Sequence, residues 1–260
     1  MLITLSPAKT LDFENAAVPQ KGYTEPEFLP EADYLAKKLK SYSVRRLKKM
    51  MGISQDLAEL NFMRYQKWEV PLNVEQTRKA IEVFQGDAYR GLDYSTLSAK
   101  GKQYLSDSLY ILSGLYGVLS ATDVILPYRL EMGTSFKVTA SKTNLYKYWN
   151  HKITDYFNQK LVEKRTSTLV NLASAEYFKV IQTRAIQGNI ITPEFKDLKD
   201  GNYKMIGFFA KRARGMMVRF IAENQIQQPD DIKAFDREGY YYNSHQSTEN
   251  KWVFTRDQSS

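Results

Sequence analysis

Cysteine is absent from this 260-residue chain, and histidine is limited to His151 and His245. The first absence excludes disulfides, thiolate metal sites, thiol peroxidase chemistry and cysteine nucleophiles. The second leaves too little imidazole for haem ligation or a multi-histidine metal site. No apolar run approaches the eighteen or so residues of a membrane span. A targeting leader is not visible either, because the short apolar run Met1-Leu2-Ile3-Thr4-Leu5 ends at Ser6-Pro7 and its first positive charge, Lys9, follows it. The expectation is a cytoplasmic protein, taken as a monomer, with no metal, no cofactor and no membrane partner. With 43% hydrophobic residues, a chain of this length buries roughly 70–75% of its unfolded surface and needs no staples.

What the chain does have is a charge surplus, 37 Lys and Arg against 29 Asp and Glu, or +8. It is local. Between Tyr34 and Gln55 stand seven basic residues (Lys37, Lys38, Lys40, Arg45, Arg46, Lys48, Lys49) and no acidic one. Between Gly201 and Ala222 stand five more (Lys204, Lys211, Arg212, Arg214, Arg219), again without a carboxylate. With those twelve set aside, 25 basic residues face 29 acidic ones, a balance of −4. Two separated basic stretches on a mildly acidic chain point to a polyanion, nucleic acid or a phosphorylated small molecule, unless both are simply solvated helix faces.

Periodicity predicts a mixed α/β fold (α+β in the sense of a mixed central sheet) in a single compact unit covering residues 1–260. Strands are expected at 1–5, 109–119 (with a turn at Gly114 and Gly117), 168–172, 190–195 and 203–209, with two closing strands between 235 and 254. Helices are expected at 31–41, 44–51, 55–65, 74–84, 144–164 and 209–224, and Gly86 and Gly91 mark a loop. Residues 31–66 form a candidate subdomain.

Four segments carry candidate chemistry. The first, residues 47–60, reads as helix, tight turn at Gly52-Ile53-Ser54, then helix, with Leu47, Met51, Leu57 and Leu60 expected to face inward. It resembles a helix-hairpin-helix, in which Gly52 permits the turn, the next helix offers free N–H groups to a phosphate, and Lys48 and Lys49 add attraction. Ser54 followed by Asp56 equally describes an ordinary capped αα-hairpin. The second is the helix at 209–224, where Lys211, Gly215 and Arg219 fall on one stripe with Arg212 beside them. Gly215 in mid-helix permits close approach by a phosphate or by another part of the chain, and Lys211 and Arg214 are the residues expected to face a ligand. The third runs from Asp123 through Pro127-Tyr128-Arg129-Leu130-Glu131, in which Arg129 can grip an anion and Glu131 can act as a base or pair with Arg129. The fourth is a pair of strand ends, Ser6 and Lys9 after the first strand and Ser174, Glu176, Tyr177 and Lys179 after residues 168–172, where α/β sheets gather ligands. No Walker loop, dinucleotide fingerprint or Ser-His-Asp order accompanies them.

Taken in order, these segments resemble the YaaA family of bacterial peroxide-stress proteins. The resemblance is carried by Ile3-Thr4-Leu5-Ser6-Pro7-Ala8-Lys9-Thr10-Leu11-Asp12, Phe84-Gln85-Gly86-Asp87-Ala88-Tyr89, residues 112–119 and 127–133, and Asn171-Leu172-Ala173-Ser174. It continues through Glu176-Tyr177-Phe178-Lys179, Ala210-Lys211-Arg212-Ala213-Arg214-Gly215-Met216-Met217, Arg219-Phe220-Ile221 and Gly239-Tyr240. Ser120-Ala121 departs from it where the family often has a basic residue and proline, and Ser54 stands where a hairpin glycine is usual. The resemblance implies a family-specific mixed α/β fold, a role in limiting peroxide damage partly by lowering available intracellular iron, and binding of DNA in a basic cleft. It implies no assigned reaction.

Three functions follow. The leading one is a binder of double-stranded or distorted DNA acting in the oxidative-stress response, through Lys48, Lys49, Gly52, Ser54, Lys211, Arg212, Arg214 and Arg219. The alternative is a base- or nucleotide-processing enzyme whose pocket gathers Ser6, Lys9, Asp123, Tyr128, Arg129, Glu131, Ser174 and Glu176, with Glu131 as acid/base and Lys9 as electrostatic or nucleophilic group. The third is a sensor of small anions.

Overall fold

A computed structural model describes residues 1–257. In chain order, β1 (Leu2–Leu5) and β2 (Thr10–Leu11) precede the helices α1 (Leu29–Lys40), α2 (Val44–Met51) and α3 (Gln55–Gln66). Short pieces follow, β3 (Arg78–Lys79), α4 (Ala80–Val83), β4 (Phe84–Gln85) and α5 (Asp87–Leu92). Helix α6 (Ala99–Ser108) leads into β5 (Leu109–Ser113), β6 (Gly117–Ser120) and β7 (Val124–Ile125). Next come α7 (Leu145–Trp149), α8 (Lys152–Glu163), β8 (Thr168–Leu172) and α9 (Ala175–Phe178). The last part holds β9 (Asn189–Lys199), β10 (Asn202–Lys204), α10 (Gly207–Glu223), β11 (Tyr241–Tyr242) and β12 (Lys251–Arg256).

Strands β1, β5 and β8 are buried at every position, as mainly apolar strands are when both faces of a sheet are covered. The main sheet runs β11-β12-β9-β8-β1-β5-β6, with β10 hanging from β9. The pairs β5–β1, β1–β8, β8–β9 and β9–β12 are parallel, and β6, β10 and β11 add antiparallel pairs. This is the mixed α/β sheet expected from the sequence. From β1 the chain moves first to β5 on one side and later to β8 on the other, so the order reverses between β1 and β8. Crevices beyond the carboxyl ends of strands at such a reversal are where open α/β sheets bind ligands. Among the described residues no helix is long and apolar enough to cross a membrane.

Local pattern and structure part company in four places. Residues 74–84, expected as one helix, become a 3-10 turn, β3, α4 and β4. Strand β3 pairs with β7, and the Ala80 and Ile81 N–H groups that open α4 donate to the Asp123 and Ala121 carbonyls, so long-range pairing interrupts the expected helix at residues 77–79. The helix expected at 144–164 breaks at Asn150, whose φ is 42°. The loop expected around Gly86 and Gly91 contains α5, and the strand expected at 203–209 stops at Lys204 because Gly207 starts α10.

The α2–α3 connection is an αα-hairpin with both ends capped. Gly52 takes a left-handed conformation (φ 62°) and its N–H donates to the Lys48 carbonyl, while the Ser54 hydroxyl accepts from Leu57 N–H. Leu47 and Ala58 are buried, and Met51 is half-buried. Leu57 and Leu60, expected inside, are 38% and 45% exposed. The inward stripe of α3 is Ala58, Asn61 and Tyr65, with Leu57 at its edge and Leu60 further toward solvent. Side chains of α1 and α2 such as Leu35, Leu39 and Leu47 belong to the same buried cluster as Ile3, Ile111 and Val170.

Helices α5 and α10 touch backbone to backbone. A Cβ on Gly215 would lie 1.7 Å from the Ala88 carbonyl oxygen, and one on Gly91 would lie 2.2 Å from that of Arg212. Gly215 thus serves internal packing against α5 and does not open a path for a phosphate. In a free-standing helix Gly215→Ala would gain about 1 kcal/mol. Here it must push α5 away, so a net loss of about 2–3 kcal/mol is expected. Calorimetry should record a fall in Tm of about 4–12 °C.

Candidate functional site

A cavity of about 310 Å³ opens beyond the carboxyl ends of β1 and β8. Its walls come from residues 5–10, the corner 85–89, Glu131, the segment after β8, and Lys211 and Arg214 of α10. Pairing of Thr10 with Gln85 and Leu11 with Phe84 sets the first loop against the second. Gly86 turns that corner at φ 154°, ψ −179°, a conformation open essentially to glycine alone. The strand ends are tied together, since Ser6 Oγ accepts from Ser174 N–H at 2.8 Å and donates to Ser174 Oγ at 3.3 Å. Tyr89, buried so that its phenol is pushed well above the ordinary range, donates its hydroxyl to the Ser6 carbonyl at 3.0 Å. Glu131 sits on a segment anchored by the Tyr65 hydroxyl to the Arg129 carbonyl, 2.8 Å, and by Ser113 to the Tyr128 hydroxyl, 2.7 Å.

The charges of the site are unequal in their partners. Glu131 lies between Lys9 Nζ at 2.7 Å and an Arg129 guanidinium nitrogen at 3.1 Å, one on each carboxylate oxygen. Glu176 accepts the Gly133 N–H at 2.9 Å, and Asp87 pairs with Arg90 at 3.3 Å. Lys211 and Arg214 have no ion-pair partner among the described residues, whereas Arg212 and Arg219 of the same helix pair with Glu238 and Glu223 at 2.7 Å each. Burial lowers the Arg214 guanidinium from its ordinary pKa, against the opposing pull of Glu194. A partly desolvated guanidinium without a partner gains most from a bound anion. Among the described residues no group of three or more His, Asp or Glu is placed to hold a metal ion.

Of the residues singled out in the sequence, Ser6, Lys9, Glu131, Ser174, Glu176, Lys211 and Arg214 line this one cavity, and Arg129 supports it through Glu131. Tyr128 is buried behind it on Ser113. Arg212 and Arg219 lie outside that wall, in a separate depression with Glu223 and Glu238. Lys48, Lys49, Gly52 and Ser54 lie on the hairpin and do not line the cavity. Much of the first basic stretch is engaged internally. Lys37 pairs with Asp33 at 2.7 Å, Lys38 donates to the Val138 carbonyl, and Arg46 covers the Tyr42 ring at 3.5 Å.

Asp123 is not part of the cavity. It is 3% exposed, accepts the Thr24 hydroxyl at 2.6 Å and Ser120 N–H at 2.8 Å, and burial raises its pKa to about 7. The sequence reading assigned no site role to Asp87 or Tyr89, although Gly86 beside them marks the corner. It also passed over Arg64, whose pKa is lowered mainly by burial and, against the pull of Tyr65, by the charge of Arg129.

A family model described as peroxide stress protein YaaA matches residues 1–246. A UPF0246 protein of Hahella chejuensis is 46% identical over 257 residues, covering 99% of this chain and 100% of that protein. A UPF0246 protein of Neisseria meningitidis is 44% identical over 258 residues, 99% of both chains. One from Aliivibrio fischeri is 42% identical over 260 residues, the full length of both.

Asp123 makes a prediction independent of any ligand. Its folded-state pKa near 7 lies above the unfolded value of about 4, so between those values the folded state holds a proton that the unfolded state has lost. Its contribution to stability is full below pH 4 and disappears as pH rises through 7. Urea unfolding should find Asp123→Asn more stable than the wild type at pH 8, by on the order of 3 kcal/mol. The gap should close toward pH 4.

Proposed function

This chain belongs to the YaaA peroxide-stress family, and on that premise we propose that it acts in the peroxide-stress response by binding DNA. The observation that carries the reading is the pair Lys211 and Arg214, two cations at i, i+3 of one helix that face a strand-end cavity and make no ion pair among the described residues. Phosphate is the group that answers both, because the guanidinium offers a planar fork of donors and the ammonium a mobile point charge.

A second contact comes from the α2–α3 hairpin. Arg45, Lys48 and Lys49 have no ion-pair partner among the described residues, and they suit backbone phosphates on a strand that continues past the cavity. Cations of this kind hold the sugar-phosphate backbone and read no base edges, so binding is non-sequence-specific. The proposal includes the lowering of available intracellular iron that the sequence resemblance implies.

A base- or nucleotide-processing enzyme is the second reading, favoured by one observation. Ser6, Lys9, Glu131, Ser174 and Lys211 meet in a single cavity although they span most of the chain. In that reading Glu131 is the acid/base, oriented by Lys9 and Arg129. Borohydride trapping of an abasic-site duplex, lost in Lys9→Ala, would favour a Lys9 nucleophile.

The test of DNA binding is the salt dependence of duplex affinity. Lys211→Glu/Arg214→Glu is expected to weaken binding and to reduce the slope of log K against log salt by about two, and Lys48→Glu/Lys49→Glu should do likewise. Unchanged affinity in both double variants would overturn the proposal.

A further inference from the structure

We propose that the strand-end cavity seats one nucleotide, its phosphate between Lys211 and Arg214, either free as a nucleoside monophosphate or as a residue turned out of a DNA strand. For the polymer this rests on the DNA-binding reading above; for the free nucleotide it does not.

Size makes the first argument. About 310 Å³ lies at the small end of ligand cavities. It excludes any stretch of duplex, whose major groove alone is about 12 Å wide, yet it has room for a phosphate, a sugar and a ring. A DNA strand can therefore enter only as a single unstacked residue.

Charge makes the second. Two of the three carboxylates that would repel a phosphate are ion-paired, Glu131 with Lys9 and Arg129 and Asp87 with Arg90, while Glu176 is held by the Gly133 N–H and keeps its charge. Lys211 and Arg214 on the α10 wall make no ion pair among the described residues, although Glu194 lies close enough to attract Arg214.

The third argument is the remaining lining. Pro7, Ala8, Ala88, Leu172 and Tyr177 give the cavity apolar surface suited to a ring. Polar groups at the strand ends suit a sugar or a base edge. Ser174 Oγ accepts from the Ser6 hydroxyl and from Tyr177 N–H, and its own proton has no acceptor among the described residues. Each Glu131 oxygen keeps a lone pair after its contact with Arg129 or Lys9 and can accept from a sugar hydroxyl or an exocyclic amine. An inorganic anion would use the α10 wall and leave these groups without a role.

The experiment has two arms. In calorimetric titration of the full chain, a nucleoside 5′-monophosphate should bind at least about tenfold more tightly than either the nucleoside or inorganic phosphate. Arg214→Met and the exposed Lys211→Met should each lose about tenfold, the scale of one charge-assisted hydrogen bond. Ser174→Ala should weaken the monophosphate but not inorganic phosphate. In the second arm, a duplex carrying 2-aminopurine at a mismatch should brighten on binding to the wild type and not to Arg214→Met. Monophosphate binding without brightening assigns the seat to a free nucleotide, and brightening without it assigns the seat to an extrahelical DNA residue. Inorganic phosphate matching the monophosphate, or neither arm responding, overturns the proposal. Tight, salt-dependent binding of a fully paired duplex in that last case would leave the DNA-binding reading standing.

Discussion

Burial of the central strands on both faces is the constraint from which the rest follows. With β1, β5 and β8 sealed at every position, polar groups within them must find partners inside the sheet. Thr4 does so on the Val170 carbonyl, and the Asn171 amide donates to the Thr192 hydroxyl of β9. Any group meant to meet a ligand is displaced to the strand ends. Because the strand order reverses between β1 and β8, the two ends leave a crevice there, and the loops that close it carry the candidate side chains of the site.

Helix α10 supplies the other half of the site, and the Gly91 and Gly215 contacts set its height above the sheet. With no side chain between the two backbones, α10 lies close enough to α5 for Lys211 and Arg214 to share a cavity with the corner at Gly86. One turn further along, Arg219 reaches the Leu92 and Asp93 carbonyls at 3.2 and 2.9 Å and helps hold α5 in place. The same helix therefore divides its cations by direction, some fastening its neighbours and two facing the cavity.

That division changes the meaning of the net charge. A surplus of +8 suggests a broad basic surface, but most of the second stretch is neutralised by Glu238, Glu223 and Asp200. In the proposed DNA binding, attraction rests on a few cations: Lys211 and Arg214 at the cavity and Arg45, Lys48 and Lys49 on the hairpin. Among the strongly basic segments, the count of charges was legible at once and their availability was not.

The sequence by itself determined the elements whose patterns are local. Mainly apolar runs marked β1, β5 and β8, the turn at Gly52 and the cap at Ser54 separated α2 from α3, and the strand-end residues Ser6, Lys9, Ser174 and Glu176 were legible from the rule that sheets bind at their ends. Only the tertiary structure decided what depends on distant neighbours. The helix expected at 74–84 is interrupted at 77–79 because β3 pairs with β7 and the first N–H groups of α4 find the Asp123 and Ala121 carbonyls, and Gly215 met a helix that local pattern had read as a loop. Asp123 was removed from the site by burial beneath Thr24, and Glu131 was fixed within it by Lys9, 122 positions away. Side-chain periodicity reports which face of an element is apolar. Which partner that face meets, and which charges remain free, is set by contacts between residues far apart in the chain.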